Sequence, residues 1–149
     1  MTIGEICNRE VVYVNRDVTV HAACKLMRHY RVGSLVVVDE VDGKRVPVGI
    51  LTDRDVVVEI DAMDLDAKVI TAGDIMSEEL VTVPDRNDVL ETIEIMRFKG
   101  VRRVPVVDAE GRLAGIVTVD DLLGILADEL SDIARIVARE PSHEQQARK

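Results

Sequence analysis

Gly115 to Asp121 reads GIVTVDD, and Gly49 to Asp55 reads GILTDRD. Each is a glycine, two apolar residues, a threonine, and an aspartate three places after it: a strand running straight into the first turn of a helix. A chain that writes this corner twice builds one unit twice.

The corner suits two roles. A helix N-terminus leaves backbone N–H groups without partners and carries partial positive charge, which favours an anion. Glycine lets a ligand approach the backbone, threonine adds a hydroxyl, and aspartate accepts hydrogen bonds from two vicinal hydroxyls such as those of a ribose. Thr52 with Asp55, and Thr118 with Asp121, equally form an N-cap with an acid at the third helical position, an arrangement that needs no ligand. The residues leave both roles open, and only the duplication lifts the first above a short-motif coincidence.

The repeat is internally consistent. Ile6 pairs with Ile75, Val12 with Val81, Met27 with Met96, Val32 with Val101 and Asp39 with Asp108, all at an offset of 69. Gly49 and Gly115 are 66 apart, so a slip of three residues is expected in a turn between. Each copy opens on a short helix (Thr2–Cys7, Ala72–Met76) and a brief strand (Val11–Val14; Val81–Val83, stopped by Pro84). Helices follow at Thr19–Tyr30 and from Asp88 to about Phe98, with a capping box at Asp88 and Glu91 and with Val89, Ile93 and Met96 facing inward. Gly100 ends the second as a left-handed residue.

Paired strands come next, Ser34–Asp39 with Val46–Thr52 and Arg103–Asp108 with Leu113–Thr118, turning at Asp42-Gly43 and Glu110-Gly111. Pro105 cannot donate to a ladder, so its strand is expected at an edge or beside a ligand. The unit is β-α-β-β-α, with Asp53–Ile60 as the closing helix of the first copy. The expected boundaries are 1–60 for the first copy, 61–71 for a linker, 72–128 for the second and 129–149 for a helical extension with a frayed tail from Pro141. In that extension Val119, Leu123, Leu126, Leu130, Ile133 and Val137 keep a 4-3 spacing, which fits either a dimerisation seam or packing on the chain's own body.

Composition narrows the function classes. Hydrophobic residues are 47% of the 149 and aromatics only 2%, so Val, Ile and Leu build the core and base-stacking platforms are absent. The formal charge of −9 disfavours nucleic acid and anionic membranes as partners. No apolar run of about 18 residues and no signal pattern occurs, which points to the cytoplasm. Cys7 and Cys24 lie outside any CxxC motif and read as idle thiols. His21, His29 and His143 belong to no nucleophile or metal constellation, and no GxxxxGK[ST] loop is present. No catalytic residue, metal site or obligatory cofactor is expected.

On the two GIxTxxD corners, the strands ending at Asp39 and Asp108, the run RRVPVVD from Arg102 and the repeat offset, the chain over residues 2–128 resembles a tandem pair of CBS domains, a Bateman module. The resemblance implies an α+β fold of two repeats packed sheet to sheet about a pseudo-two-fold axis. It implies a non-enzymatic regulatory module that binds adenosine compounds (AMP, ADP, ATP, NAD-type nucleotides or S-adenosylmethionine) between repeats. Such modules commonly pair as flat homodimers and signal to an effector protein.

Carried over by position, one cleft would use Thr52 and Asp55 with Val81, Thr82, Arg102, Arg103 and Pro105. The other would use Thr118 and Asp121 with Val12, Tyr13, Val32 and Ser34. Gly33 and Ser34 stand where the second copy has Arg102 and Arg103, so the clefts are expected to differ, the first being the tighter for charged nucleotides. The competing expectation is a ligand-free dimerisation scaffold.

Overall fold

The structure, a computed structural model, describes residues 1–77 and 79–147, without the side chains of residues 142–144 and 147. The expected surface position of His143 and the Arg148-Lys149 end of the expected frayed tail lie outside that description. The chain divides into two compact units, Met1–Val117 and Thr118–Lys149.

The first unit runs α1 (Ile3–Ile6), β1 (Tyr13–Asn15), α2 (Val20–Tyr30), β2 (Ser34–Val41), β3 (Lys44–Thr52) and α3 (Asp53–Val56), which continues as a π-helical turn over Val57–Asp61. Then come α4 (Ala72–Ile75), β4 (Val83–Pro84), α5 (Val89–Lys99), β5 (Arg103–Val107) and β6 (Leu113–Thr118), the last passing into the second unit. Two three-stranded sheets result, ordered β1-β2-β3 and β4-β5-β6. The fold is α+β, as expected.

The helices form where the apolar period is 3.6. On α2, Val20, Ala23 and Met27 are buried, Thr19 accepts the Ala22 N–H at 3.1 Å, and Arg31 ends the helix at φ 56°. On α5 the expected capping box is not made. The Asp88 carboxylate takes the Leu90 N–H at 2.8 Å, and the Thr92 hydroxyl donates to the Asp88 carbonyl at 3.0 Å. That bond allows Thr92, not the expected Ile93, to join Val89 and Met96 on the buried stripe. Gly100 closes the helix at φ 67°, as expected.

In the first sheet β2 is buried on both faces, with Leu35, Val36, Val37 and Val38 all at 1% exposure or less. Its hairpin with β3 turns through Asp42 and Gly43 at φ 51° and 76°, the geometry that favours Asp-Gly. The three extra residues of the first copy are not in the turn, as expected, but in the strands. β2 and β3 are longer than β5 and β6, and a bulge between Val37 and Val38 skips Val48.

β5 is the middle strand of its sheet, not an edge. Pro105 is tolerated because β4 pairs only with Val106 and Val107 and asks nothing of position 105. β4 itself starts later than expected, at Val83, and includes Pro84.

The two copies exchange their lead-in helices. Around α4, Ala72 N–H bonds to Val18 O at 2.8 Å, Gly73 N–H to Arg16 O at 2.9 Å and Ser77 N–H to Ile50 O at 3.1 Å. Around α1, Ile3 N–H bonds to Asn87 O at 2.7 Å, Gly4 N–H to Asp85 O at 2.8 Å and Asn8 N–H to Ile116 O at 2.9 Å. Each set is the other shifted by the repeat. Ala72 and Met76 accordingly belong to the core of the first copy, with Val14, Ala23, Met27, Leu35, Val37 and Leu51.

The segment between copies is also tied down: the Ile70 and Ala67 carbonyls accept the Val20 and His21 N–H groups at 2.9 Å, satisfying donors that a helix start leaves over.

The second unit is one helix, α6 (Val119–Ala147), with Pro141 inside it. Leu123, Leu126, Leu130, Ile133 and Val137 of the 4-3 seam are exposed along it. Among the described residues no helix is long and apolar enough to cross a membrane.

Candidate ligand cleft

The Thr52 corner is a capping box. Asp55 N–H donates to Thr52 Oγ1 at 3.1 Å, and Thr52 N–H donates to Asp55 Oδ2 at 2.9 Å. Thr118 and Asp121 make the same pair at 3.2 and 3.1 Å at the start of α6. So do Thr71 with Asp74 and Thr2 with Glu5 at the starts of α4 and α1. Four helix starts share one device, so the TxxD spacing alone does not mark a ligand site. The Thr71 N–H and hydroxyl together hold the Asp74 carboxyl below its usual range. At Asp55 one oxygen is spent on the cap and the second, Oδ1, meets no donor among the described residues.

The glycine of each corner has a use other than ligand approach. A Cβ on Gly49 would lie 2.5 Å from Met76 Sδ and 3.0 Å from Ser77 O, and one on Gly115 would lie 2.6 Å from Cys7 Sγ and 2.8 Å from Asn8 O. Both admit the exchanged segment of the other copy, which corrects the expectation from sequence.

Beside Thr52 lies a cleft of about 400 Å³, walled by Ile50, Thr52, Asp53 and Arg54 of the first copy and by residues 77, 79–81 and 101–103 of the second. Of the expected set, Thr52, Val81, Arg102 and Arg103 meet there. Asp55 stands one turn behind in its cap, Pro105 is buried in β5, and Thr82 faces a separate cavity with Arg16 and Met76. Ile50, Asp53, Arg54, Ser77, Glu79, Leu80 and Val101 are on the wall and outside the expected set. The bridge that brings Ser77 to Ile50 joins residues far apart in sequence, and no local pattern announces it.

Two features of the cleft are chemical. Arg54, Arg102 and Arg103 outnumber Asp53 and Glu79 on a chain of net charge −9, and Arg103 is half-buried with no acidic partner among the described residues. The second is a carbonyl. In the first copy Val36 N–H bonds to Val12 O at 3.1 Å. The counterparts are Pro105, which has no N–H, and Val81, whose carbonyl therefore lacks that donor where the cleft begins.

A second cleft, of about 670 Å³, is lined by Val12, Tyr13 and Val32 with Asn8, Leu26 and Tyr30. Among the described residues Glu10 is the one charged residue on its wall, and Arg45 sits over the Tyr13 ring at 4.0 Å. Ser34 is not on this wall; it pairs with Thr52 across the hairpin. Thr118 and Asp121 cap α6 in the second unit.

The family model described as CBS domain matches residues 3–62 and 72–128. An uncharacterised protein of Methanopyrus kandleri is 36% identical over 125 residues, 84% of this chain and 62% of that protein. The crystal structure of Hypoxic Response Protein I with two coordinated zinc ions is 34% identical, with a TM-score of 0.73 over 83% of this chain and 97% of that one. CBSX2 in complex with AMP is 26% identical, with a TM-score of 0.70 over 85% and 96%. Among the described residues of this chain no three His, Cys, Asp or Glu side chains are grouped to hold a metal.

Proposed function

Because the chain belongs to the CBS domain family, with both of its copies matched, we propose that it is a non-enzymatic regulatory module that binds an adenine nucleotide in the cleft beside Thr52. The observation that carries this reading is the pairing, in one cleft, of a carbonyl without its strand donor and a set of arginines. The Val81 carbonyl suits the amino group of adenine, and the planar donors of Arg102, Arg103 and Arg54 suit phosphate oxygens. Ile50, Leu80 and Val101 supply apolar walls for the base, and Thr52, held by its cap with Asp55, stands on the wall beside the ribose. The AMP complex of a structural neighbour supports the same ligand class.

Three arginines favour AMP, ADP or ATP over S-adenosylmethionine, whose sulfonium is itself a cation. Among the described residues the wall at Val12 and Tyr13 includes no arginine, the nearby Arg45 lying over the Tyr13 ring, and its equivalent carbonyl is occupied, so it takes charged nucleotides more weakly. Since the tight cleft has walls from both copies, a nucleotide that prefers one spacing of the copies shifts that equilibrium and signals to an assembly or an effector protein. We propose a homodimer as the unit, working in the cytoplasm, with neither nucleic acid nor membrane as partner.

Calorimetry with AMP, ADP, ATP and S-adenosylmethionine, and mass spectrometry of ligand retained on the purified protein, test the reading. Binding of a phosphate-bearing ligand that falls about tenfold in Arg103→Ala is expected. No heat and no rise in melting temperature at millimolar nucleotide would leave the dimerisation scaffold as the function.

A further inference from the structure

The chain has one Phe, two Tyr and no Trp, and both tyrosines, Tyr13 and Tyr30, stand on the wall of the cleft of about 670 Å³. They are 40% and 54% exposed. At the repeat offset of 69 the second copy has Thr82 and Lys99 in their places, so the rings belong to this cleft alone. The arginines run the other way, with Gly33 and Ser34 standing where the second copy has Arg102 and Arg103. Glu10 and its counterpart Glu79 are on the walls of their respective clefts, but among the described residues Glu10 has no cation beside it on the wall and forms no ion pair. The Asn8 side chain accepts the Glu10 N–H at 3.0 Å and holds that turn in shape.

One framework thus carries opposite chemistry in its two clefts. The face of an aromatic ring is negative and attracts a cation within about 6 Å of its centre, more strongly where water is excluded. Tyr13 shows that attraction inside the molecule: the Arg45 guanidinium, which is not on the cleft wall, lies 4.0 Å from the ring centre. Val12, Val32 and Leu26 add apolar surface, which suits methyl groups and gives a small hydrated ion nothing in exchange for its water. The Val12 carbonyl is already bonded to the Val36 N–H, so the acceptor that suits adenine in the other cleft is engaged here.

We propose that this cleft binds a small organic cation of the quaternary ammonium class. Its methyl groups lie against Tyr13, Tyr30 and the two valines, and the Glu10 carboxylate answers its charge. The site is separate from the cleft beside Thr52 and does not depend on the nucleotide reading. The chain then holds ligands of opposite charge, one in each cleft.

Choline is the probe, compared with its neutral carbon isostere, in which a tert-butyl group replaces the trimethylammonium. Because the chain has only two tyrosines, their ring signals in nuclear magnetic resonance spectra report on this cleft directly. Choline is expected to shift both sets of signals, and the isostere to bind about fivefold or more weakly. Tyr30→Leu and Glu10→Gln, both at exposed positions, are each expected to raise the dissociation constant for choline about three- to fivefold, with circular dichroism verifying the fold. Tyr30→Phe keeps a ring and should stay within about twofold of the parent. Arg103→Ala, on the other cleft, should leave choline binding unchanged.

Tyrosine signals indifferent to choline at tens of millimolar, equal binding of the neutral isostere, or an unchanged affinity in either Tyr30→Leu or Glu10→Gln overturns the inference. None of these results touches the nucleotide reading, which calorimetry on Arg103→Ala decides by itself.

Discussion

Val36 donates its backbone N–H to the carbonyl of Val12 at 3.1 Å, and the same step in the second copy falls on Pro105 and Val81, where no donor exists. One imino acid thus adds a second chemical difference between the clefts to that made by the arginines. Pro105→Val is expected to restore the donor and lengthen β4 toward Val81. Nucleotide affinity should then fall roughly three- to tenfold, the range of one net hydrogen bond. Calorimetry measures the loss, and slow amide exchange at residue 105 shows whether the new N–H is engaged.

Gly115→Ala is expected to destabilise the fold by about 1–3 kcal/mol, because a close-packed contact would have to open. A Cβ there meets the Asn8 carbonyl at 2.8 Å, a backbone atom held by its bridge to Ile116. Gly49→Ala meets first the Met76 thioether, a flexible side chain that can turn aside, so it should cost less. Urea unfolding of the two variants gives the order, and equal costs would refute the assignment.

Asp55→Asn and Asp74→Asn separate capping from binding. Each side chain closes a helix start through the threonine three residues before it, and both variants should melt somewhat below the parent. Only Asp55→Asn is expected to weaken nucleotide binding, by about tenfold, since its cap partner Thr52 is on the cleft wall and Thr71, the partner of Asp74, is not. A loss of affinity in both would mean that the effect is one of folding.

Asp108 holds the second hairpin at its turn. The backbone N–H of Arg112 above all, then that of Glu110 and the Arg112 guanidinium, keep its carboxyl below the ordinary value of 3.8. A carboxyl lowered by folding adds stability above its unfolded value, and that stability disappears as pH falls through the folded value. The contribution of this turn should therefore persist down to 3.8 and be lost only below it. Carbon-detected titration of the Asp108 carboxyl checks this, and a midpoint at or above 3.8 would contradict it.

Much of this was legible in the sequence, and the reason is locality. The caps at Thr52 and Thr118, the left-handed Gly100 and the Asp42-Gly43 turn depend on residues within one turn of themselves. The repeat offset, with arginines at positions 102 and 103 against Gly33 and Ser34, announced that the walls would differ in charge. What escaped reading was set by distant neighbours. The need for glycine at position 49 comes from Met76 and Ser77 and at position 115 from Cys7 and Asn8, and the use of Ser77 in the cleft comes from its bridge to Ile50. The place of Pro105 in a central strand depends on where β4 happens to begin.

The traded lead-in helices bind the fate of the two copies together. A fragment cut at the segment between them would leave each half with a bare strand edge at Ile50 or Ile116 and carrying a plug made for a missing socket. Neither half is an inheritable module by itself. Selection acting on one ligand pocket must therefore preserve the other half as its scaffold, even where that half has ceased to bind anything.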